Sequence, residues 1–165
     1  MSEPEPWLRG PIEGVHPLVA PVFYSFEQVR EDLAKYTAGL SREAVWKQFD
    51  RGSLGFHIRH LGGSVERLAT YLAGKQLSEE QLAAVRREWD ADEDVPQLLE
   101  KMNAQLARCE EQLRLLDPKT LYDARAVGRR ALPTTVIGLI VHLCEHSQRH
   151  LGQAITLAKM LRHQQ

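Results

Sequence analysis

Three histidines carry the chemistry of this chain: His146 and His150, four residues apart in a strongly apolar C-terminal segment, and His60 in an earlier apolar segment. On a helix, residues four apart stack on one face a turn from each other, so two such imidazoles can address one ion. The HxxxH spacing alone is weak evidence. It gains weight because five of the seven histidines fall in two segments, His57 and His60 in one and His142, His146 and His150 in the other. A catalytic metal site needs three protein ligands, and two helices could supply them. Stepping by threes and fours from Val136, the apolar positions Leu139 and Leu143 lead to His146, His150 and Gln153, then to Leu157 and Met160. Polar groups in the middle of an apolar seam need partners or a cation, because desolvating them unpaired costs a few kcal/mol each.

Periodicity supplies the helices that would hold them. Val19, Val22, Phe26, Val29, Leu33, Tyr36 and Leu40 recur at three-four spacing from about Leu18, with Pro21 in the first turn and Gly39 and Ser41 as the stop. Ser53 is an N-cap for a second helix carrying Leu54, Ile58, Leu61, Val65, Leu68 and Leu72, ending near Gly74. Leu99, Met102, Leu106, Cys109, Leu113 and Leu116 mark a third, bounded by Asp94 and by Asp117 with Pro118. A fourth runs from Thr135 to about Arg162. The expected fold is all-α, a four-helix bundle with no strand, forming a single domain over residues 1–165.

Residues 1–17, rich in proline and glycine, read as an extended arm held by Trp7 across the bundle. Residues 75–95 read as a long crossover in which Ser78 and Gln81 could cap a short helix. A link this long can carry the chain the length of the bundle, so the second and third helices can run parallel. The outer face of the fourth helix carries Ile137, Val141, Cys144 and Ile155, which a homodimer partner or the N-terminal arm could cover.

Composition narrows the function classes. The 165 residues are 43% hydrophobic and 26% charged, with a formal net charge of −1, so nothing attracts nucleic acid or an anionic membrane. No apolar run reaches spanning length, and Met1 to Arg9 lacks the basic-then-apolar order of a secretion signal, which makes the cytoplasm the expected location. Cys109 and Cys144 read as small buried hydrophobes.

Two strings, Ser53-Leu54-Gly55-Phe56-His57-Ile58-Arg59-His60-Leu61-Gly62 and His142-Leu143-Cys144-Glu145-His146-Ser147-Gln148-Arg149-His150-Leu151-Gly152-Gln153, resemble the DinB/YfiT-like superfamily of metalloenzymes. The resemblance covers most of the chain. It implies an up-down-down-up bundle, frequent homodimers, and a divalent transition metal on His60, His146 and His150, with zinc or nickel ahead of iron or manganese. The helical wheel of the second helix centres its seam nearer His57 than His60, so His57 stands as an alternative ligand or a partner to one, and His142 has the same double status.

Three neutral imidazoles leave an ion its full charge and open positions, which activates a water or a thiol. The expectation is a metal-dependent enzyme, either a low-molecular-weight thiol S-transferase, as some members of the superfamily are, or a hydrolase. No Asp or Glu lies on a seam beside the histidines to act as general base, which tilts the reading toward thiol transfer. His57, His142 and Tyr71 are the candidate proton-transfer groups, and Glu145 points away from the stripe. Arg125, Arg129 and Arg130 form an anion-binding rim or a solvated basic loop. His16 and His163 receive no role. The alternatives are a non-catalytic dimeric bundle whose ion is structural or sensing, and a metal-free scaffold with hydrogen-bonded core histidines.

Overall fold

A computed structural model describes residues 3–163, so residues 1 and 2 of the expected arm and the last two residues lie outside it. The described chain is mostly helical, with six α-helices and one two-stranded sheet: α1 Ala20–Thr37, α2 Arg42–Val45, α3 Leu54–Leu72, α4 Glu79–Arg86, α5 Val95–Arg114, β1 Ala124–Val127, β2 Leu132–Thr135 and α6 Val136–Arg162. The helix starts are written in the local sequence. The Ser53 hydroxyl accepts from the Phe56 amide to begin α3, reciprocal capping boxes pair Ser78 with Gln81 and Asp94 with Gln97 at α4 and α5, and the Thr135 hydroxyl accepts from Gly138 at α6.

The strands depart from the expectation of a strand-free chain. Antiparallel β1 and β2 pair Ala124 with Thr135 and Val127 with Leu132, and the turn between them uses Gly128 at φ 70° and Ala131 at φ 47°. Four-residue strands are too short to show alternation, and Pro133 in β2 argues against a strand unless it lies at an edge, as it does here.

Among the long helices, α3 packs on α5 and α6, and α1 packs on the same two. Side-chain pairs fix their directions. Along α3 and α5 the partners advance together: Glu66 accepts from Gln105 at 3.0 Å, and Gln112 donates to the Ala69 carbonyl at 2.9 Å. Gly62 lets these two helices approach, since a Cβ there would lie 3.0 Å from the Met102 Cα. On α1 and α6 the partners also advance together, with Gln148 donating to Ser25 and Arg162 to the carbonyls of Lys35 and Ala38. Partners run in opposite order between α1 and α5, through Arg30 with Glu110 and Arg114 over Phe23, and between α3 and α6, through His57 with His150 and Ser64 with His146.

The helices enclose one apolar cluster in which Phe26, Leu33, Leu54, Ile58, Leu61, Leu98, Met102, Leu106, Ile140 and Leu143 are fully buried. Each such side chain contributes roughly 1.5–3 kcal/mol through the area it removes from water. Cys109 lies in this interior and the half-buried Cys144 packs against it from the outer side of α6; burial pushes their thiols up to about 12 and about 11. The buried line of α6 is Val136, Leu139, Ile140, Leu143, Ser147, Leu151, Ala154, Ala158 and Leu161. The expected seam therefore holds only as far as Leu143. Beyond it His146, His150, Gln153 and Leu157 are half-buried, and Met160 is 43% exposed.

In the N-terminal arm it is Pro6, in a 3-10 turn, that is buried, while Trp7 is 62% exposed. The arm is tied to α1 by the Arg9 guanidinium on the Glu31 carboxylate and by the Tyr24 hydroxyl donating to the Gly10 carbonyl at 2.8 Å. Among the described residues no helix is long and apolar enough to cross a membrane.

Candidate metal centre

Because α3 and α6 run in opposite directions side by side, His60 meets the two histidines of α6. One ring nitrogen from each of His60, His146 and His150 can be chosen so that all three lie within 4.8 Å of one another. The ring centroids are 5.2 Å apart for His60 and His146, 4.5 Å for His60 and His150, and 4.6 Å for His146 and His150. All three rings are half-buried at the edge of the α3–α6 interface.

Each of the three imidazoles has a protein partner at Nδ1. His60 Nδ1 lies 2.7 Å from Glu88 Oε2, His146 Nδ1 lies 3.4 Å from Ser64 Oγ, and His150 Nδ1 lies 3.0 Å from His57 Nδ1. A carboxylate only accepts, so His60 donates from Nδ1; the Ser64 hydroxyl already donates to the Leu61 carbonyl, so it accepts from His146. Between His57 and His150 one Nδ1 carries the hydrogen. When His150 carries it, all three rings keep the Nε2 lone pair free, the arrangement a ligating histidine needs.

Electrostatics favours the same neutral state. Desolvation, then the neighbouring His60, lowers His146 to about 4 and His150 to about 3, with His142 next among the causes for His146 and His146 next for His150. His57 is lowered to about 4 by its burial and by His60, a backbone hydrogen bond at Arg51 acting against them. At neutral pH these are uncharged imidazoles able to donate lone pairs. The donor set therefore fits a borderline transition metal.

His57 is 3% exposed, as its place at the centre of the α3 seam implies. Its Nδ1 is directed at His150 rather than joining the group of three. His142 stands at the rim, its side chain 46% exposed, with Nδ1 3.0 Å from the Glu145 carboxylate and its ring edge-on to His146 at 5.3 Å. Tyr71, eleven residues beyond His60 on α3, is roughly 16 Å further along the helix axis and does not join the cluster. Glu145 is a surface carboxylate shared by His142 and Arg149. Arg125 is spent on the Leu72 and Ala124 carbonyls, while Arg129 and Arg130 are exposed at the hairpin turn, which is the solvated-loop reading of that trio. His16 accepts from the Leu18 amide, and His163 is exposed at the end of α6.

Glu88 is the site residue that sequence reasoning missed. It comes from the crossover, not from any apolar seam, and is 4% exposed. Its second oxygen lies 2.7 Å from Arg67 Nη1. Burial alone would raise this carboxyl, but the hydrogen bond from His60 and the charge of Arg67 hold it below its ordinary value. The backbone around it is pinned by Arg59, whose Nη1 donates to the carbonyls of Arg87 at 2.7 Å and Asp90 at 2.6 Å while its Nε and Nη2 bind Glu93. Trp46 Nε1 donates to the Glu93 carbonyl and Arg42 to that of Ala91. Next to Glu88, the exposed Trp89 stacks on Phe56 at 3.9 Å, and Phe56 stacks in turn on His60 at 5.3 Å. The available signal was a glutamate flanked by Arg87 and Trp89 in a crossover long enough to fold back over α3.

No curated protein matches the chain significantly. The family model of the DinB superfamily matches residues 25–154, a span that contains all three clustered histidines together with Glu88 and most of the core helices. The chain belongs to the DinB superfamily.

Proposed function

We propose that this protein is a divalent-metal-dependent enzyme working at His60, His146 and His150, and that its four long helices form an up-down-down-up bundle. The order of the side-chain partners between α1, α3, α5 and α6 supports that topology. The observation that carries the metal reading is the convergence of three imidazoles whose Nδ1 atoms are all partnered. A structural ion is normally enclosed by four protein ligands. Here His57 is turned to His150 and His142 to Glu145, and the three rings are half-exposed, which favours an open centre reached by substrate.

When bound, the ion supplies a positive charge that lowers the pKa of a water or thiol beside it. Both Glu88 oxygens are engaged, by His60 and Arg67, so Glu88 is not free to take a proton from a reacting water. That favours a low-molecular-weight thiol as the group activated and S-transfer as the reaction. Hydrolysis is the second reading, favoured by the rim position of His142, which could accept a proton beside His146. Phe56 and Trp89 form an aromatic wall on the Glu88 side of His60. A homodimer belongs to the same proposal: on the outer face of α6 Val141 is 60% exposed beside half-buried Ile137 and Cys144, and sedimentation of the full chain tests it.

Elemental analysis of untagged chain prepared without chelators tests the metal reading against His60→Ala and His146→Ala. About one equivalent of transition metal in the native chain, lost from both variants, is expected. No metal after reconstitution with zinc or nickel refutes it. On the loaded protein, conjugation of cysteine to monochlorobimane set against hydrolysis of p-nitrophenyl acetate separates the two chemistries, and inactivity in both with full metal occupancy points to a structural or sensing ion.

A further inference from the structure

We infer that Glu88 is a positioning residue for the metal centre: the crossover delivers its carboxylate to His60 Nδ1 and so sets which nitrogen of His60 faces the cluster. Glu88 Oε2 lies 2.7 Å from that nitrogen, and the carboxylate is almost wholly withdrawn from water. Because a carboxylate has no proton to give at neutral pH, the hydrogen must sit on His60 Nδ1, which leaves the Nε2 lone pair for an ion. The other oxygen is ion-paired to Arg67 Nη1 at 2.7 Å, without hydrogen-bond geometry, and that positive charge decides which end of the group faces Arg67 and which faces His60. Gly63 completes the fit. A Cβ at that position would lie 2.9 Å from Arg67 Nη1 and 3.0 Å from Glu88 Oε1.

The backbone that carries Glu88 is fixed as firmly as the side chain. Arg59, one residue before His60, bonds the carbonyl of Arg87 immediately before Glu88 and that of Asp90 two residues after it. A single turn of α3 thus presents the ligand, through His60, and the clamp that holds the ligand's partner, through Arg59. The segment between α4 and α5 in this way supports the histidine cluster, although it contributes none of the three histidines.

A nearly isosteric change at Glu88 should reverse the orientation of His60. In Glu88→Gln, Arg67 can only donate, so the amide oxygen must turn toward it and the amide NH2 toward His60. That NH2 donates to Nδ1, and the hydrogen of His60 is driven to Nε2, the wrong tautomer for ligation. A merely structural glutamate would tolerate the same substitution. The inference rests on the metal reading for its consequence but not for its test, because the tautomer is read in metal-free protein.

Long-range proton–nitrogen spectra of the histidine rings at pH 8 in chelator are expected to show His60 as the Nδ1–H tautomer in the native chain and the Nε2–H tautomer in Glu88→Gln, with circular dichroism unchanged. Zinc titration is expected to show affinity roughly 10- to 100-fold weaker in the variant, the range for losing such a partner. Adding Arg67→Met frees the amide to rotate, and should return His60 to Nδ1–H and recover part of the affinity. An Nε2–H tautomer in the native chain, or Nδ1–H retained in Glu88→Gln, overturns the inference. Native protein that binds no zinc refutes the metal reading instead, and the spectra still decide the role of Glu88.

Discussion

Acidification of the metal-free chain tests whether the histidine cluster is held neutral by its surroundings. In the unfolded chain His57 binds a proton near its ordinary value of about 6.5, whereas in the folded chain burial and the neighbouring His60 lower it to about 4. Between those values the unfolded state holds the extra proton, so stability is full above about pH 6.5, falls as pH drops through the window, and levels off below about 4. At pH 5 the unfolded form gains RT ln of about 30, close to 2 kcal/mol, of which only about 0.2 kcal/mol is already present at pH 7. His146 and His150, lowered to about 4 and about 3, act in the same direction. Against a total stability of roughly 5–15 kcal/mol, the effect should be plain. Urea unfolding in chelator at pH 7 and pH 5 measures it: with a slope of about 2 kcal/mol per molar, His57 alone moves the midpoint by about 1 M. His57→Gln, which does not titrate, should lose about 1 M less than the native chain over that interval. Equal midpoints at the two pH values, or a variant that tracks the native chain, would show that His57 titrates as in water.

Other substitutions probe the supports of the site. Arg59→Lys cannot keep the forked contacts to Arg87, Asp90 and Glu93, and should cost about 2 kcal/mol while releasing amide protection across residues 87–93, measured by hydrogen exchange. Gly63→Ala inserts a methyl between Arg67 and Glu88, so zinc affinity should fall several-fold with less than about 1 kcal/mol lost in urea unfolding. Gly62→Ala meets the Met102 backbone across α3 and α5, and overpacking should destabilise by about 1–3 kcal/mol without changing the His60 tautomer. A site variant and a packing variant at adjacent glycines thereby separate the two effects.

The parts of the fold governed by local chemistry were legible. Ser53, Ser78 with Gln81, and Asp94 each cap the helix their sequence context suggested, and the long crossover between α3 and α5 is where the acidic, seamless stretch placed it. What depended on pairing across distance was not. The β1–β2 hairpin rests on partners five to eleven residues away, with Pro133 disguising one strand. Glu88 reaches His60 only because Arg59 folds the crossover back over α3, a contact that no spacing on either segment encodes. No carboxylate was expected beside the histidines, because none lies on a helix seam. A carboxylate is present, placed by the crossover between His60 and Arg67, where no helix seam could reveal it.

The phase of α6 shows how a small ambiguity decides the character of the site. From Leu143 a step of three lands on His146 and a step of four on Ser147, and hydropathy cannot choose between two polar residues. The helix takes the longer step, because small side chains at Ser147, Ala154 and Ala158 let α6 lie close against its neighbours. Each residue of the expected stripe then sits one position before a buried one: His146 before Ser147, His150 before Leu151, Gln153 before Ala154, Leu157 before Ala158, Met160 before Leu161. One position is about 100° around the axis. That rotation moves the histidines from the centre of the interior to its flank against α3, where His60 stands. Three imidazoles at the centre would be sealed from solvent and suited to a structural ion or to hydrogen bonds alone. At the flank His146 and His150 are dry enough to stay neutral, and the cluster is open enough to be reached, the combination that an exchangeable reacting group requires.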